Sequence, residues 1–329
     1  MDGLTKSNAN ILLADGDAYM RQSFRNALTN DGYREIRAIS RLSLLTEILN
    51  TTAADLLILD VDMPDGDATA LVRDIRSGKV GRNPFIAIIV TSWQSDRYLV
   101  RRVLDSGADT LLVKPLAPAQ LFSRIENIVC ERNQFVVTAD YLGPDRRDRL
   151  NTAGPTRYQV PNTLKDKLEG RQIDLEAMNM EIAALMAEMN ETRLVRASYQ
   201  IAFLVGMVIN AFEADTITDE TKAHLGRILS IAGDAVPRLD GTRFAGIVDD
   251  FRALVTIVEK IHIRPRRAAR NLVAQLKPLA STILTSTYSG SDATFALMEI
   301  ATAVDDLTQR KDAHAESALH APEISGVVH

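Results

Sequence analysis

The sequence predicts an α/β domain built on a doubly wound, five-stranded parallel sheet, followed by an all-α helical domain with a short coiled-coil segment. Three observations lead there. Across about the first 130 residues, short apolar runs alternate with longer amphipathic stretches, the order expected when helices cover both faces of a parallel sheet. Between residues 133 and 162 the composition turns to proline, glycine and charged side chains, which marks an interdomain linker. From Leu164 onward strand-like alternation disappears and helical spacing takes over almost to the end.

Five runs supply the strands: residues 11–14, 34–39, 56–59, 85–90 and 110–113. Four are nearly devoid of polar side chains, as strands buried on both faces must be. Residues 17–29, 42–50, 67–77, 96–105 and 118–130 supply the helices between and after them. These elements set the expected domains at 1–133 for the α/β part, 134–162 for the linker, 163–310 for the helical part and 311–329 for a small, polar, flexible tail.

In the helical part Leu168, Leu175, Ile182 and Met189 recur every seven residues, with Leu164, Met178 and Leu185 at complementary positions. That is about three heptads, interrupted by Arg171. The seam would either pair with a second copy of the chain, giving a homodimer, or pack on its own domain. Further helices are expected at 198–212, 218–232, 242–262, 268–286 and 293–309.

Composition narrows the setting. With 329 residues and 46% hydrophobic side chains the chain can bury two cores. Cys130 is the only cysteine, so a reducing, cytoplasmic compartment is expected, and the amino terminus lacks the pattern of a secretory signal. The most apolar stretch, 197–212, contains Tyr199, Gln200 and Asn210 between Arg196 and Glu213. It is short for a bilayer span and reads as a buried helix, so no membrane partner is expected. A net charge of −5 argues against a nucleic-acid-coating protein. Two local basic clusters stand apart from that average: Arg146, Arg147 and Arg149 in the linker, and Arg264, Arg266, Arg267 and Arg270 in the helical part.

Reactive groups in a doubly wound sheet gather beyond the carboxyl ends of its strands. Here the first strand ends in Asp15, the third in Asp60, the fourth in Thr91, and the fifth in Lys114 followed by Pro115. Two carboxylates, a hydroxyl and an ammonium would share one rim. That set suits phosphoryl transfer to a carboxylate: Asp60 as nucleophile, Mg2+ between carboxylate and phosphoryl oxygens, Lys114 as a paired cation and Thr91 as a hydrogen-bond donor. Singly, each residue also fits a plainer role, with Asp15 or Asp17 capping a helix and Asp60 preceding a turn.

Four motifs in order, ILLADGD from Ile11, LLILDVDMPDGD from Leu56, IIVTS from Ile88 and SGADTLLVKPL from Ser106, resemble the response-regulator receiver family of bacterial two-component systems. The resemblance covers roughly the first 130 residues and implies a flavodoxin-like receiver fold. It implies Asp60 as phospho-acceptor, Thr91 as switch hydroxyl, Lys114 as the phosphate-pairing lysine and a cis bond before Pro115. It also implies a magnesium site using Asp15, Asp60 and the backbone carbonyl of Asp62, and a sensor histidine kinase or phosphotransfer protein as donor. Beyond its own phosphoryl transfer and hydrolysis, such a domain is not an enzyme.

Three positions depart from the family pattern. Gly16 stands where a second acidic residue commonly ligates magnesium, and Asp17 or Asp62 is a candidate substitute. Leu111 stands where an aromatic switch residue is frequent. Trp93, two residues after Thr91, stands where side chains can cover the phosphorylated carboxylate.

No nucleotide-cyclase, phosphodiesterase, P-loop or zinc signature occurs in the second half, so its expected output is protein interaction through helices, with the target unassigned. A phosphorylation-independent pseudo-receiver scaffold, motivated by Gly16, and a nucleic-acid-binding regulator working through the arginine run are the alternatives. His224 and His262 are weighed as phosphotransfer histidines against ordinary surface roles.

Overall fold

The apolar runs become one parallel sheet because their side chains alternate between two separate cores. The strands are β1 Ile11–Ala14, β2 Ile36–Ile39, β3 Leu56–Asp60, β4 Ala87–Ser92 and β5 Thr110–Val113, in the order β2-β1-β3-β4-β5. Helices α1 Ala18–Asn30, α2 Leu42–Thr51, α3 Ala68–Arg76, α4 Arg97–Asp105 and α5 Pro118–Glu131 connect and follow them. Leu12, Leu57, Leu59, Ile88 and Val90 pack toward α2, α3 and α4, whereas Ile11, Leu13, Leu56, Ile58 and Ile89 pack toward α1 and α5. The period-two alternation of a strand thus fills both sides. Asp17, Asp67 and Asp96 each accept backbone N–H groups at the start of α1, α3 and α4, which fixes where the three helices begin beside the strand ends.

The computed structural model describes residues 5–146 and 156–319, the side chains of 311–319 excepted. The chain divides into two compact units, Met1–Glu188 and Met189–His329.

The first unit extends well past the expected receiver boundary. The stretch expected as linker instead carries a small antiparallel sheet, β6 Phe135–Val137, β7 Leu142–Pro144 and β8 Arg157–Tyr158, in the order β7-β6-β8. Phe135 meets Phe85 edge-on at 5.7 Å and lies within reach of the guanidinium groups of Arg76 at 5.2 Å and Arg132 at 5.1 Å.

Arg76 is fully buried and donates to the carbonyls of Gly107, Pro84 and Ile86 and to the Asp109 carboxylate at 2.7 to 2.9 Å. Arg132 joins the same carboxylate at 2.7 Å. Burial alone would raise the Asp109 carboxyl, yet Arg132 and Arg76 hold it below its ordinary value.

The Gly143–Arg146 segment completes this joint. A Cβ on Gly143 would sit 2.7 Å from the Gly107 Cα, so only glycine allows the two backbones to approach. Asp145 pairs with Arg157 at 2.8 Å, and Arg146 donates to the carbonyls of Ala108 and Asp109. Arg147 and Arg149 of the basic cluster lie outside the described residues.

The heptad expectation also needs correcting. Leu164 and Leu168 belong to a separate short helix, α6 Thr163–Leu168, and both are buried in the core beside α1 and α5. Gly170, at φ +71°, ends that helix, and α7 Leu175–Glu213 starts afresh. The seven-residue spacing therefore does not lie on one continuous helix, and no three-heptad coiled coil runs from Leu164 to Met189.

The second unit holds the later part of α7 with α8 Asp219–Ala235, α9 Val248–Ile263, α10 Arg270–Thr287 and α11 Ser291–Leu319. The helix expected from residue 242 begins later, after a short 3-10 turn at Ala245–Ile247. α7 is long and apolar enough to cross a membrane, with a window of mean hydropathy 1.4. Its Ile201, Val205 and Val208, however, are buried in one core with Leu225, Leu254, Ile283 and Ile300, as a bundle helix requires. The tail expected from 311 is helical through Leu319, and residues 320–329 lie outside the described part.

Candidate functional site

Asp60 closes β3 and pairs in register with Thr91 on β4, while Asp15 and Lys114 directly follow β1 and β5. Adjacent parallel strands thus bring residues distant in sequence to one edge. The Lys114 Nζ lies 2.7 Å from Asp15 Oδ2 and 3.0 Å from Asp60 Oδ1, with the three side chains only 0, 1 and 5% exposed. Asp15, Asp60, Thr91 and Lys114, inferred from strand ends, are therefore assembled as one cluster. The Lys114–Pro115 bond is cis.

Burial pushes the Asp60 carboxyl up; the Lys114 ammonium opposes this, while Asp15 and Asp62 add to it. Asp60 Oδ1 is buried against the Lys114 ammonium at 3.0 Å, and the Thr91 hydroxyl beside it is buried with no hydrogen-bond partner among the described residues. Unsatisfied buried polar atoms are costly.

The turn after β1 shows what Gly16 changes. A Cβ there would stand 3.6 Å from the Asp62 carbonyl oxygen and 3.2 Å from the Pro64 ring, so an acidic side chain at this position would lie beside that carbonyl. Asp17 does not replace it straightforwardly. Its Oδ1 accepts the N–H groups of Tyr19 and Met20, which commits that oxygen to capping α1. The Asp62 residue is exposed. Among the described residues, no group of three or more His, Cys, Asp or Glu side chains converges as a metal cage.

The donors that remain are still of the right kind. Asp15, Asp60 and the Asp62 carbonyl are hard oxygen ligands, and magnesium is commonly held by one or two carboxylates with phosphate and water completing the shell. The residues fit a magnesium ion held by fewer protein ligands than the family pattern supplies.

Trp93 stands beside the cluster, with the Lys114 ammonium 5.6 Å from its ring centroid. The residue as a whole is half exposed. Asp65 is a positioning residue that the sequence pattern did not single out. It accepts the N–H groups of Leu42 and Ser43 and so ties the loop after Asp60 to the start of α2. Those hydrogen bonds, led by that from Leu42, hold its carboxyl below the ordinary range. His224 lies in the other unit, with Nε2 3.8 Å from Glu220.

Comparison with known proteins agrees with this geometry. The family model for the response regulator receiver domain matches residues 11–126. The transcriptional regulatory protein GltR of Pseudomonas aeruginosa is 34% identical over 133 residues, 40% of this chain and 53% of that protein. The KDP operon transcriptional regulatory protein KdpE of Escherichia coli is likewise 34% identical over 133 residues, 40% of this chain and 56% of that protein. The match thus spans about half the length of these two relatives. A solved two-component response regulator from Clostridium difficile is 25% identical, covering 38% of this chain and 99% of that one, with a TM-score of 0.34. With four strand-end residues gathered at one sheet edge, residues 11–126 form a receiver domain of the response regulator family.

Proposed function

We propose that the chain is a cytoplasmic two-component response regulator in which Asp60 accepts a phosphoryl group from a sensor histidine kinase or phosphotransfer protein and the helical unit passes the signal to a protein target. The observation that carries this reading is the buried cluster at one sheet edge, in which Asp60 Oδ1 pairs with the Lys114 ammonium at 3.0 Å and the Thr91 hydroxyl finds no hydrogen-bond partner among the described residues. A carboxylate oxygen of Asp60 forms the new bond to phosphorus as the donor's bond to it breaks, the donor nitrogen keeping the electron pair. Lys114 then exchanges part of its pairing with the aspartates for the phosphoryl oxygens. Thr91 donates its hydroxyl to the same group. Asp15, Asp60 and the Asp62 carbonyl would hold Mg2+, which supplies charge neutralisation when bound. Incubation with acetyl phosphate and magnesium, followed by intact mass, tests the reading.

Two expectations arise from the departures at this site. Trp93→Ala should shorten the lifetime of the phosphorylated form about fivefold, because the ring shields the acyl phosphate from water; an unchanged half-life would remove Trp93 from that role. Gly16→Asp should tighten magnesium binding about tenfold by adding a carboxylate. Trp93 is the chain's single tryptophan, so its fluorescence during a magnesium titration reports both affinities, and equal values would count against the missing-ligand account.

Gly16 also favours a second reading, a pseudo-receiver scaffold that works without phosphorylation; failure of the wild-type chain to gain a phosphoryl group would select it. A nucleic-acid partner is a further reading. GltR and KdpE are named transcriptional regulators, and the arginine run offers a local basic face despite the net charge of −5.

A further inference from the structure

The helical unit contains a cavity of about 540 Å³ between the start of α8 and the turn joining α9 to α10. The sequence builds it in two steps. α9 ends at Ile263, and Pro265 opens a single 3-10 turn, Pro265–Arg267, which presents Arg264, Arg266 and Arg267 at the cavity wall. Opposite them, the extended residue Thr218 starts the 17-residue helix α8, whose first turn brings Asp219 and Lys222 to the same cavity.

Four cations thus face one concavity that contains a single carboxylate, Asp219. None of the four is held by an ion pair or side-chain hydrogen bond to a described residue. All four are solvent-exposed, so water and salt screen their mutual repulsion, while an anion seated among them would be attracted by each. The start of α8, capped by Thr218 and Thr221, places the positive end of a helix dipole on the same side.

We propose that this cavity binds a small polyanion carrying two adjacent phosphate groups. Three features set that class. The volume falls within the range of about 300–1,000 Å³ typical of small-molecule sites. Arginine forks grip phosphate oxygens in pairs, and Lys222 adds a point charge. No aromatic side chain lines the cavity, so it holds no platform for stacking bases, and recognition falls on the phosphates. The cations surround a concavity instead of running as a stripe along a helix, which favours a compact anion over a nucleic-acid backbone.

Calorimetry on the full chain, without added metal, tests this with inorganic pyrophosphate as probe and with inorganic phosphate and a short DNA duplex as separate arms. Pyrophosphate should bind saturably and more tightly than phosphate. Arg264→Ala and Arg267→Ala should each weaken it about tenfold or more. Arg243→Ala, a surface change at a residue paired with Glu191, should leave it unchanged, and thermal melting confirms that every variant is folded. Pyrophosphate binding that is undetectable at millimolar concentration, or that ignores both arginine substitutions in folded protein, overturns the proposal. So does tighter, steeply salt-dependent binding of the duplex, which would assign the arginines to nucleic acid. The receiver pocket is in the other unit, so the phosphorylation result at Asp60 stands or falls separately.

Discussion

Asp60→Asn should lower phosphoryl uptake from acetyl phosphate and magnesium by about a thousandfold or more, while the wild-type chain gains the mass of one phosphoryl group. The amide keeps the size and shape of the carboxylate but has no anionic oxygen to attack phosphorus. Folding should survive, because Lys114 retains its 2.7 Å pairing with Asp15 and the variant removes a carboxylate whose burial is unfavourable. Intact mass of the two proteins after the same incubation checks the result. A phosphorylated Asp60→Asn chain would move the acceptor elsewhere, and an unmodified wild-type chain would leave the pseudo-receiver reading.

The largest stability effect is expected at Arg76. Removing one partner of a buried charge cluster costs about 3–5 kcal/mol. Arg76→Ala also leaves the carbonyls of Gly107, Pro84 and Ile86 without this donor. The melting temperature of the full chain should fall sharply, whereas Arg101→Ala, at an exposed pair with Asp105, should leave it nearly unchanged.

The pH dependence has a definite sign. Asp109 is held below its ordinary pKa in the fold, so its contribution is complete above the unfolded carboxylate value of about 4. That contribution is lost as pH falls through the depressed folded value. With Arg76 gone, one of the two cations holding Asp109 down is missing, and acid unfolding should begin at higher pH. An unchanged acid midpoint and melting temperature would show that the cluster contributes little.

The receiver site was legible because each of its residues ends an apolar run, and a parallel sheet places such ends together whatever lies between them. Asp15, Asp60, Thr91 and Lys114 needed only the strand assignments. Gly16 was legible as a departure, but Asp17 was not legible as a cap rather than a metal ligand, because the choice depends on where the N–H groups of Tyr19 and Met20 point.

The small sheet after α5 was hidden by composition. Gly143, Pro144 and Asp145 read as loop formers, and their order comes from distant partners such as Gly107 and Arg157. The false heptads have a similar cause. Leu164 and Leu168 keep the spacing of a seam but are used by the receiver core, and a glycine at positive φ separates them from α7.

This joint bears on how the phospho-acceptor can be cut out for study. Cleavage after Glu131, where α5 ends, would remove Arg132 and Phe135 and bare Phe85, leaving Arg76 as the one arginine still beside Asp109. It would also strip Leu164 and Leu168 from the groove beside α1 and α5. Such a fragment should aggregate or melt early, whereas one carried to Gly170 should behave as a self-sufficient folding piece, its smallest soluble length set by the docked strands and short helix instead of by the family boundary.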